Sequence, residues 1–375
     1  MNRSHKGLII LITLFLLTGC WDQRQFKNVK LVLAAGFDAG QERLIRNTVV
    51  IPTVEKGLEG PGQEFIQVIT SEAYSTRDGK KNVDHRISRS FDASKARVFL
   101  LGEELAKQDI FPILDVLYRD PKNNLNAKLA MVKGTAEDAL RLRVNQEPRI
   151  SGYINGILDS QMMNTEAPSE NLQLICAELL EDGEDFALSA LEVDQDAALI
   201  NYVGMALFSG QKYSGVTLNT DESLLLLLLD DQLRRSATIN RKVADYKNEP
   251  LKNYMSIEVG GVKRKVQITA DHPEQIKVDL SLKLKATIVE KTLPIILNDQ
   301  EVKKLEGKFS EILTKEMQEV LKKTQEANSD YLGIGRRVHA FHHDTWEDLK
   351  WSEVYPEIVF NVNTKVDLSG HGVIN

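Results

Sequence analysis

The sequence predicts an α+β protein of two to three domains, with largely antiparallel sheets and a long amphipathic helix covering the C-terminal one. Three segments alternate apolar and polar residues, as strands do in a sheet with one covered and one solvated face. The clearest alternation runs from Ile276 to Ile288, with weaker ones from Val262 to Ala270 and from Phe360 to Leu368. Between Asn298 and Ala327, apolar residues recur at helical spacing and predict the covering helix.

Length and composition are those of a globular protein folded in water. The 375 residues exceed the ~100–200 of one domain, so two or three domains are expected. The hydrophobic content is 42% and the charged content 27%, both ordinary values. The formal net charge of −7 argues against nucleic-acid binding, which needs a basic face, and against a polybasic membrane contact.

Residues 1–19 predict a signal peptide that is removed on export. Arg3 and Lys6 precede an apolar run from Leu8 to Leu17. This run is about half of the ~20 residues that a membrane-spanning helix needs, so it directs export without anchoring the chain.

Leu17-Thr18-Gly19-Cys20 ends this segment and matches a bacterial lipobox. The small residues admit the peptidase, which would cut between Gly19 and Cys20, and the Cys20 thiol would take the diacylglyceryl group. Two acyl chains suffice for stable membrane anchoring. We therefore predict lipidation at Cys20 and a mature chain on the outer face of a membrane. Cys176 is then left without a disulfide partner, and its apolar surroundings predict a buried structural thiol.

The N-terminal region, residues 20–195, is predicted to mix strands and helices without strict alternation, which allows for two subdomains. The first two strands form a plausible hairpin, and Thr135 is a good N-cap. The acidic run from Glu181 to Asp185 is interpreted as a solvated turn. Strands are predicted at 31–37, 44–54, 65–74, 97–102 and 126–132, and helices at 109–118 and 135–143.

The C-terminal domain is predicted to span residues 196–375. Strands at 200–208 and 213–218 precede a leucine-rich helix that ends near Leu229. This helix is too short to span a bilayer and is followed by Asp230 and Asp231, so it is predicted to be buried.

No complete catalytic or cofactor motif occurs in the sequence, so we predict no enzyme, no catalytic residue and no cofactor. His339 and His343 stand at i and i+4, which is metal-ligand spacing on a helix. They are weak metal candidates, because no third ligand is evident. Gly333-Ile334-Gly335 is interpreted as a flexible joint between two helices.

Three aromatic residues near the C-terminus allow two interpretations. Trp346, Trp351 and Tyr355 could pin the last helix to the sheet, or they could form an exposed patch for a partner protein. Pinning is the interpretation we favour.

Short motifs follow one another along the mature chain in an order that resembles a known family. Each is weak alone, but their order and spacing resemble the Ger(x)C family, the lipoprotein C subunits of the nutrient germinant receptors of bacterial endospores. The motifs are Thr18-Gly19-Cys20-Trp21-Asp22, Ala35-Gly36-Phe37-Asp38, Arg119-Asp120-Pro121, Lys133-Gly134-Thr135-Ala136 and Ser329-Asp330-Tyr331-Leu332-Gly333-Ile334-Gly335, followed by Trp346, Trp351 and a closing strand.

The resemblance implies a non-enzymatic subunit that works with two integral membrane subunits, A and B, in the inner membrane of the spore. It also implies two or three α+β domains, and among functional residues it carries over only Cys20. Whether this subunit contacts the nutrient itself is left open. Two other classes stay open as alternatives: a solute-binding lipoprotein of a transporter and, less favoured, a surface hydrolase that uses His339 and His343.

Overall fold

The computed structural model describes residues 29–42, 44–55, 63–270, 272, 275–292 and 298–371. The predicted signal peptide, its cleavage point after Gly19 and the lipidation site Cys20 lie outside these residues. The strands are β1 Val29–Leu31, β2 Ala34–Ala39, β3 Ile45–Glu55, β4 Gln63–Ala73, β5 Ser90–Asp92, β6 Val98–Gly102, β7 Lys128–Lys133, β8 Ala187–Asp194, β9 Leu199–Ser209, β10 Lys212–Leu218, β11 Thr238–Lys242, β12 Tyr254–Thr269, β13 Lys277–Lys291 and β14 Val359–His371. The helices are α1 Thr76–Asp84, α2 Glu103–Ala106, α3 Phe111–Arg119, α4 Ala136–Arg141, α5 Ile150–Met163, α6 Leu172–Glu178, α7 Thr220–Leu229, α8 Asp299–Glu326, α9 Ile334–Phe341, α10 His343–Glu347 and α11 Trp351–Val354.

An eight-stranded sheet has the order β10-β9-β8-β7-β6-β2-β3-β4. Its four central strands, β8, β7, β6 and β2, are parallel, and antiparallel strands flank them on both sides. Apolar clusters cover both of its faces: Phe99 and Leu101 belong to one, Leu100 to the other. Parallel strands buried on both faces need nearly continuous apolar runs, which is why this region shows no alternation in the sequence.

A four-stranded sheet has the order β11-β12-β13-β14. The long strands β12 and β13 are antiparallel, whereas β14 runs parallel to β13. One face buries Leu280, Leu282 and their neighbours in a cluster with Phe309 and Leu313 of α8. The α+β prediction, with a long amphipathic helix over a C-terminal sheet, is therefore confirmed.

Helix α8 begins and ends close to its predicted limits. The Asn298 side chain accepts a hydrogen bond from the Glu301 N–H, which caps the first turn. The leucine-rich helix α7 is buried, as predicted, and a capping box joins Asn219 to Glu222 at its start. Within the described part of the chain, no helix has both the length and the apolar character to cross a membrane.

Side chains of α8 also bind the outer edge of β14. Four helical residues rise about 6.0 Å and two strand residues about 6.6 Å, so every fourth helix residue meets every second strand residue. The N–H groups of Thr364, Val366 and Leu368 donate to Thr314 Oγ1 (3.0 Å), Ser310 Oγ (2.9 Å) and Glu306 Oε1 (2.8 Å).

The predicted division between residues 195 and 196 falls in the turn between β8 and β9, two neighbouring strands of the eight-stranded sheet. The division into domains therefore stays a prediction.

Candidate functional site at the junction of the two sheets

The glycine motif after α8 is organised around one buried carboxylate. Asp330, which is 1% exposed, accepts hydrogen bonds from the N–H groups of Ile334 (2.9 Å) and Gly335 (2.7 Å) and from Trp351 Nε1 (3.0 Å). Gly333 has a φ of +60°, which favours glycine. These three bonds tie the turn between α8 and α9 to one buried carboxylate, which argues against the predicted flexible joint.

The acidic turn at residues 181–185 contacts this motif directly. The Asp185 carboxylate accepts the N–H of Asp330 (2.8 Å) and the N–H of Gly210 in the β9–β10 turn (2.6 Å). The Asp185 N–H in return donates to the Asp330 carbonyl (3.0 Å). Asp185 thus joins the eight-stranded sheet to the segment after α8.

A second set of contacts brings the two backbones together. The Arg336 N–H donates to the Gly183 carbonyl (2.8 Å), and the Arg336 guanidinium pairs with Glu184 (2.6 Å). A Cβ on Gly183 would lie 2.6 Å from the Gly335 carbonyl carbon, so only glycine fits there. The interpretation of residues 181–185 as a solvated turn is therefore wrong for its second half, which is part of an internal contact.

Burial sets the electrostatics of the junction. It raises the pKa of Asp330 to about 7, against three hydrogen bonds that favour the charged form. It raises the pKa of Asp185 as well. Nearby, burial also raises the pKa values of Glu170 and Glu178, and repulsion from Glu170 raises that of Glu178 further.

Glu170 and Glu178 behave as a carboxyl pair. One oxygen of each, Oε2, is buried without a hydrogen-bond partner among the residues that the structure describes. Two carboxylates have no hydrogen to share, whereas a single proton held between them would satisfy both oxygens. We expect the pair to keep that proton at neutral pH.

The aromatic residues fasten the short C-terminal helices to this junction. Trp346 and Trp351 lie 5.5 Å apart between ring centroids, and Trp351 and Tyr355 lie 6.1 Å apart. The Tyr355 hydroxyl is buried and hydrogen-bonds Thr324 Oγ1 of α8 (2.8 Å). These contacts support the interpretation that the aromatic residues pin the last helices to the rest of the domain, rather than the interpretation that they form an exposed patch.

His339 and His343 do come together, with ring centroids 5.7 Å apart. His339 stacks on Trp346 (5.0 Å), and His343 Nε2 lies 3.4 Å from Glu347 Oε1. Across the described residues, no group of three or more His, Cys, Asp or Glu side chains is arranged to hold a metal ion. Within the described ranges, the two histidines are therefore stacked rings with no third ligand beside them.

Cys176 lies buried in α6, and burial raises the pKa of its thiol to about 11. The thiol is therefore protonated at neutral pH, and the prediction of a buried structural cysteine is confirmed.

Family models match most of the chain. Residues 22–193 match the model described as "Spore germination protein N-terminal domain", and residues 203–372 match "Spore germination B3/GerAC like, C-terminal". The crystal structure of the GerBC protein superimposes on 94% of this chain, and the match includes 100% of the GerBC chain. The TM-score is 0.59 and the sequence identity 16%, which shows a shared fold.

Relatives in Bacillus subtilis (strain 168) agree with these models. Spore germination protein KC is 21% identical over 100% of this chain and 97% of its own length. Spore germination protein YndF is 21% identical over 98% of this chain and 97% of its own length. YfkR is 27% identical over 150 residues, a match that spans 38% of this chain and 39% of that protein. The chain therefore belongs to the GerAC-like spore germination family, the C-subunit family of germinant receptors, which is not a known enzyme family.

Proposed function

We propose that this chain is the lipid-anchored C subunit of a spore nutrient germinant receptor. It is tethered through Cys20 to the outer face of the spore inner membrane and acts with integral membrane A and B subunits to trigger germination. The match of both family models, in order, over residues 22–193 and 203–372 carries this proposal.

The lipobox supports the anchoring. The first family model begins at residue 22, just after Cys20, as expected for a mature chain that starts at that cysteine. We propose that residues 1–19 are removed, that residues 20–195 form an N-terminal region, and that residues 196–375 form the C-terminal domain.

The junction supports a subunit that acts by contact rather than by chemistry. Both oxygens of Asp330 and of Asp185 accept hydrogen bonds from N–H groups, so these carboxylates position chain segments. Such a connection suits a subunit that acts by contact, because it would let a change at one sheet influence the other.

Spores that carry Cys20→Ala test the proposal. The mutant protein should leave the membrane fraction, and germination with nutrients should fail, while germination by a trigger that bypasses the receptor should survive. Cys176→Ala is the matched control: it removes the buried thiol, keeps the lipid site, and should leave location and germination unchanged.

The other outcomes are distinct. A Cys20→Ala protein that stays in the membrane would refute the lipid anchor. Normal nutrient germination together with a loss of solute uptake would favour a solute-binding lipoprotein instead.

A further inference from the structure

A cavity of about 290 Å³ lies between the eight-stranded sheet and the helices α1 and α3. Its volume is close to the lower end of the ~300–1,000 Å³ of small-molecule sites. Its floor and walls are mostly apolar and include three phenylalanine rings. The apolar lining comprises Phe37, Val49, Val83, Phe91, Phe99 and Leu117.

A buried carboxamide, that of Asn47, lines this cavity. Asn47 lies on β3, between Phe37 of β2 and Ser71 of β4, and is only 4% exposed. Neither its Oδ1 nor its Nδ2 has a hydrogen-bond partner among the residues that the structure describes. A buried amide with both atoms unpaired is costly and rare in folded proteins, so it calls for a partner from outside the chain.

Two residues of α1 are also consistent with a partner from outside the chain at this position. Thr76 Oγ1 is a further buried oxygen without a partner in the described chain, and Thr76 also lines the cavity. Gly79 lets α1 close over the amide, because a Cβ there would lie 1.9 Å from Asn47 Nδ2. Glycine inside a helix costs stability relative to alanine. A glycine at position 79 therefore indicates that the close approach of α1 to Asn47 matters more than the stability of the helix.

The mouth of the cavity is polar. Lys80 lies 3.7 Å from Asp120 and 5.3 Å from the centroid of the Phe91 ring. Arg77 and Lys81 stand exposed beside it. The site thus combines an apolar interior, one internal amide and a charged entrance, which is the usual composition of a small-molecule site.

We propose that this cavity binds a small, mainly apolar molecule that carries one amide-like edge, with a hydrogen-bond donor beside an acceptor. Both amide atoms of Asn47 are shielded from the cavity in this structure, so the side chain must turn toward the cavity to pair with this edge, while the apolar body lies against Phe37 and Phe99. A neutral edge fits best, since the Asn47 amide that it meets is itself neutral and a buried ion without an opposite charge is costly. The proposal goes beyond the receptor assignment and does not depend on it.

Benzamide is a suitable probe, because it joins an aromatic ring to a primary amide. The purified protein, labelled on asparagine, is titrated with benzamide while the side-chain amide NMR signals are followed. The Asn47 signal should shift and saturate. Toluene, which lacks the amide edge, should bind more weakly.

Two variants make the test decisive. Asn47→Leu should weaken benzamide binding by about tenfold or more, the effect of losing a paired hydrogen-bonding edge. Gly79→Ala should weaken it by displacing the amide, which gives a second test if Asn47→Leu fails to fold. Asn363→Leu, at an exposed asparagine of β14, is the matched control and should bind like the wild type.

Three results would overturn the proposal. The first is a titration without a saturable shift at Asn47. The second is equal binding by the wild type and Asn47→Leu. The third is a crystal structure, grown with benzamide, in which ordered water alone satisfies the Asn47 amide.

Discussion

The central strand β6 and the long strand β13 bury their side chains in different ways. In β6 the neighbours Leu100 and Leu101 point to opposite faces, and both are 0% exposed. In β13 the neighbours Leu282 and Lys283 also point to opposite faces, but only Leu282 is buried, at 2% exposure. The eight-stranded sheet is therefore a layer inside the protein, whereas the four-stranded sheet has one face in water.

Alanine substitutions in the two strands should separate these regions most strongly. We expect Leu100→Ala, Leu101→Ala and Leu282→Ala each to lower the free energy of unfolding by about 2–5 kcal/mol, because each leaves a cavity. Lys283→Ala should change it by about 0.5 kcal/mol or less, since its ion pair with Asp367 is solvent-exposed. Urea unfolding measures all four.

The same series can contradict the comparison. A negligible loss for either Leu100→Ala or Leu101→Ala would mean that one face of the eight-stranded sheet is not covered in solution.

The contact between the two regions gives the next largest effect. Asp330→Asn replaces one carboxylate oxygen, which accepts a hydrogen bond, with an NH₂ group, which cannot accept one, so a buried N–H group loses its bond to residue 330. We expect a loss of about 1–3 kcal/mol and faster hydrogen exchange at the Gly335 amide and the Trp351 indole. Asp348→Asn, at an exposed aspartate nearby, is the control and should change neither. If hydrogen exchange at these two groups is unchanged in Asp330→Asn, then Asp330 does not stabilise the junction.

The smallest effect is a pH dependence that arises where the regions meet. Glu170 and Glu178 have pKa values raised by burial above the ordinary 4.5, so the folded protein holds more protons than the unfolded chain. Stability should then fall by about 1 kcal/mol or more as the pH rises from about 5 to about 8. Asp330, with a pKa raised to about 7, acts in the same direction.

Glu178→Gln should flatten this dependence, as measured by melting temperature against pH, because it removes one member of the pair. Glu181→Gln, on the exposed part of the acidic turn, should leave the curve as it is. A wild-type stability that rises over this range would show that the pair is ionised.

The four-stranded sheet was the easier region to predict, because strands that are buried on one face only alternate apolar and polar residues along the sequence. The limits of β13 and α8 follow from that pattern and from a capping asparagine, and Thr135 caps α4 as expected. In the eight-stranded sheet the strands could be located from the sequence, but their parallel arrangement could not. A continuous apolar run has the same pattern in a parallel strand as in an antiparallel one.

Two kinds of feature were missed for physical reasons. Helix α5 contains Gly152 and Gly156 and follows Pro148, so its local sequence indicates a loop. Burial of Ile154 and Leu158 against the sheet outweighs that preference. The junction depends on Asp185 and Asp330, which lie 145 residues apart, and no local pattern pairs them.

The side chains that α8 places along β14 have a consequence for association. An edge strand with free N–H groups is a template on which another chain can add a strand, and proteins that leave such edges open tend to aggregate. Here Glu306, Ser310 and Thr314 occupy these groups in advance. A partner that meets this side of the molecule must therefore recognise side chains of the helix, and the sheet is protected from self-templated growth at that edge.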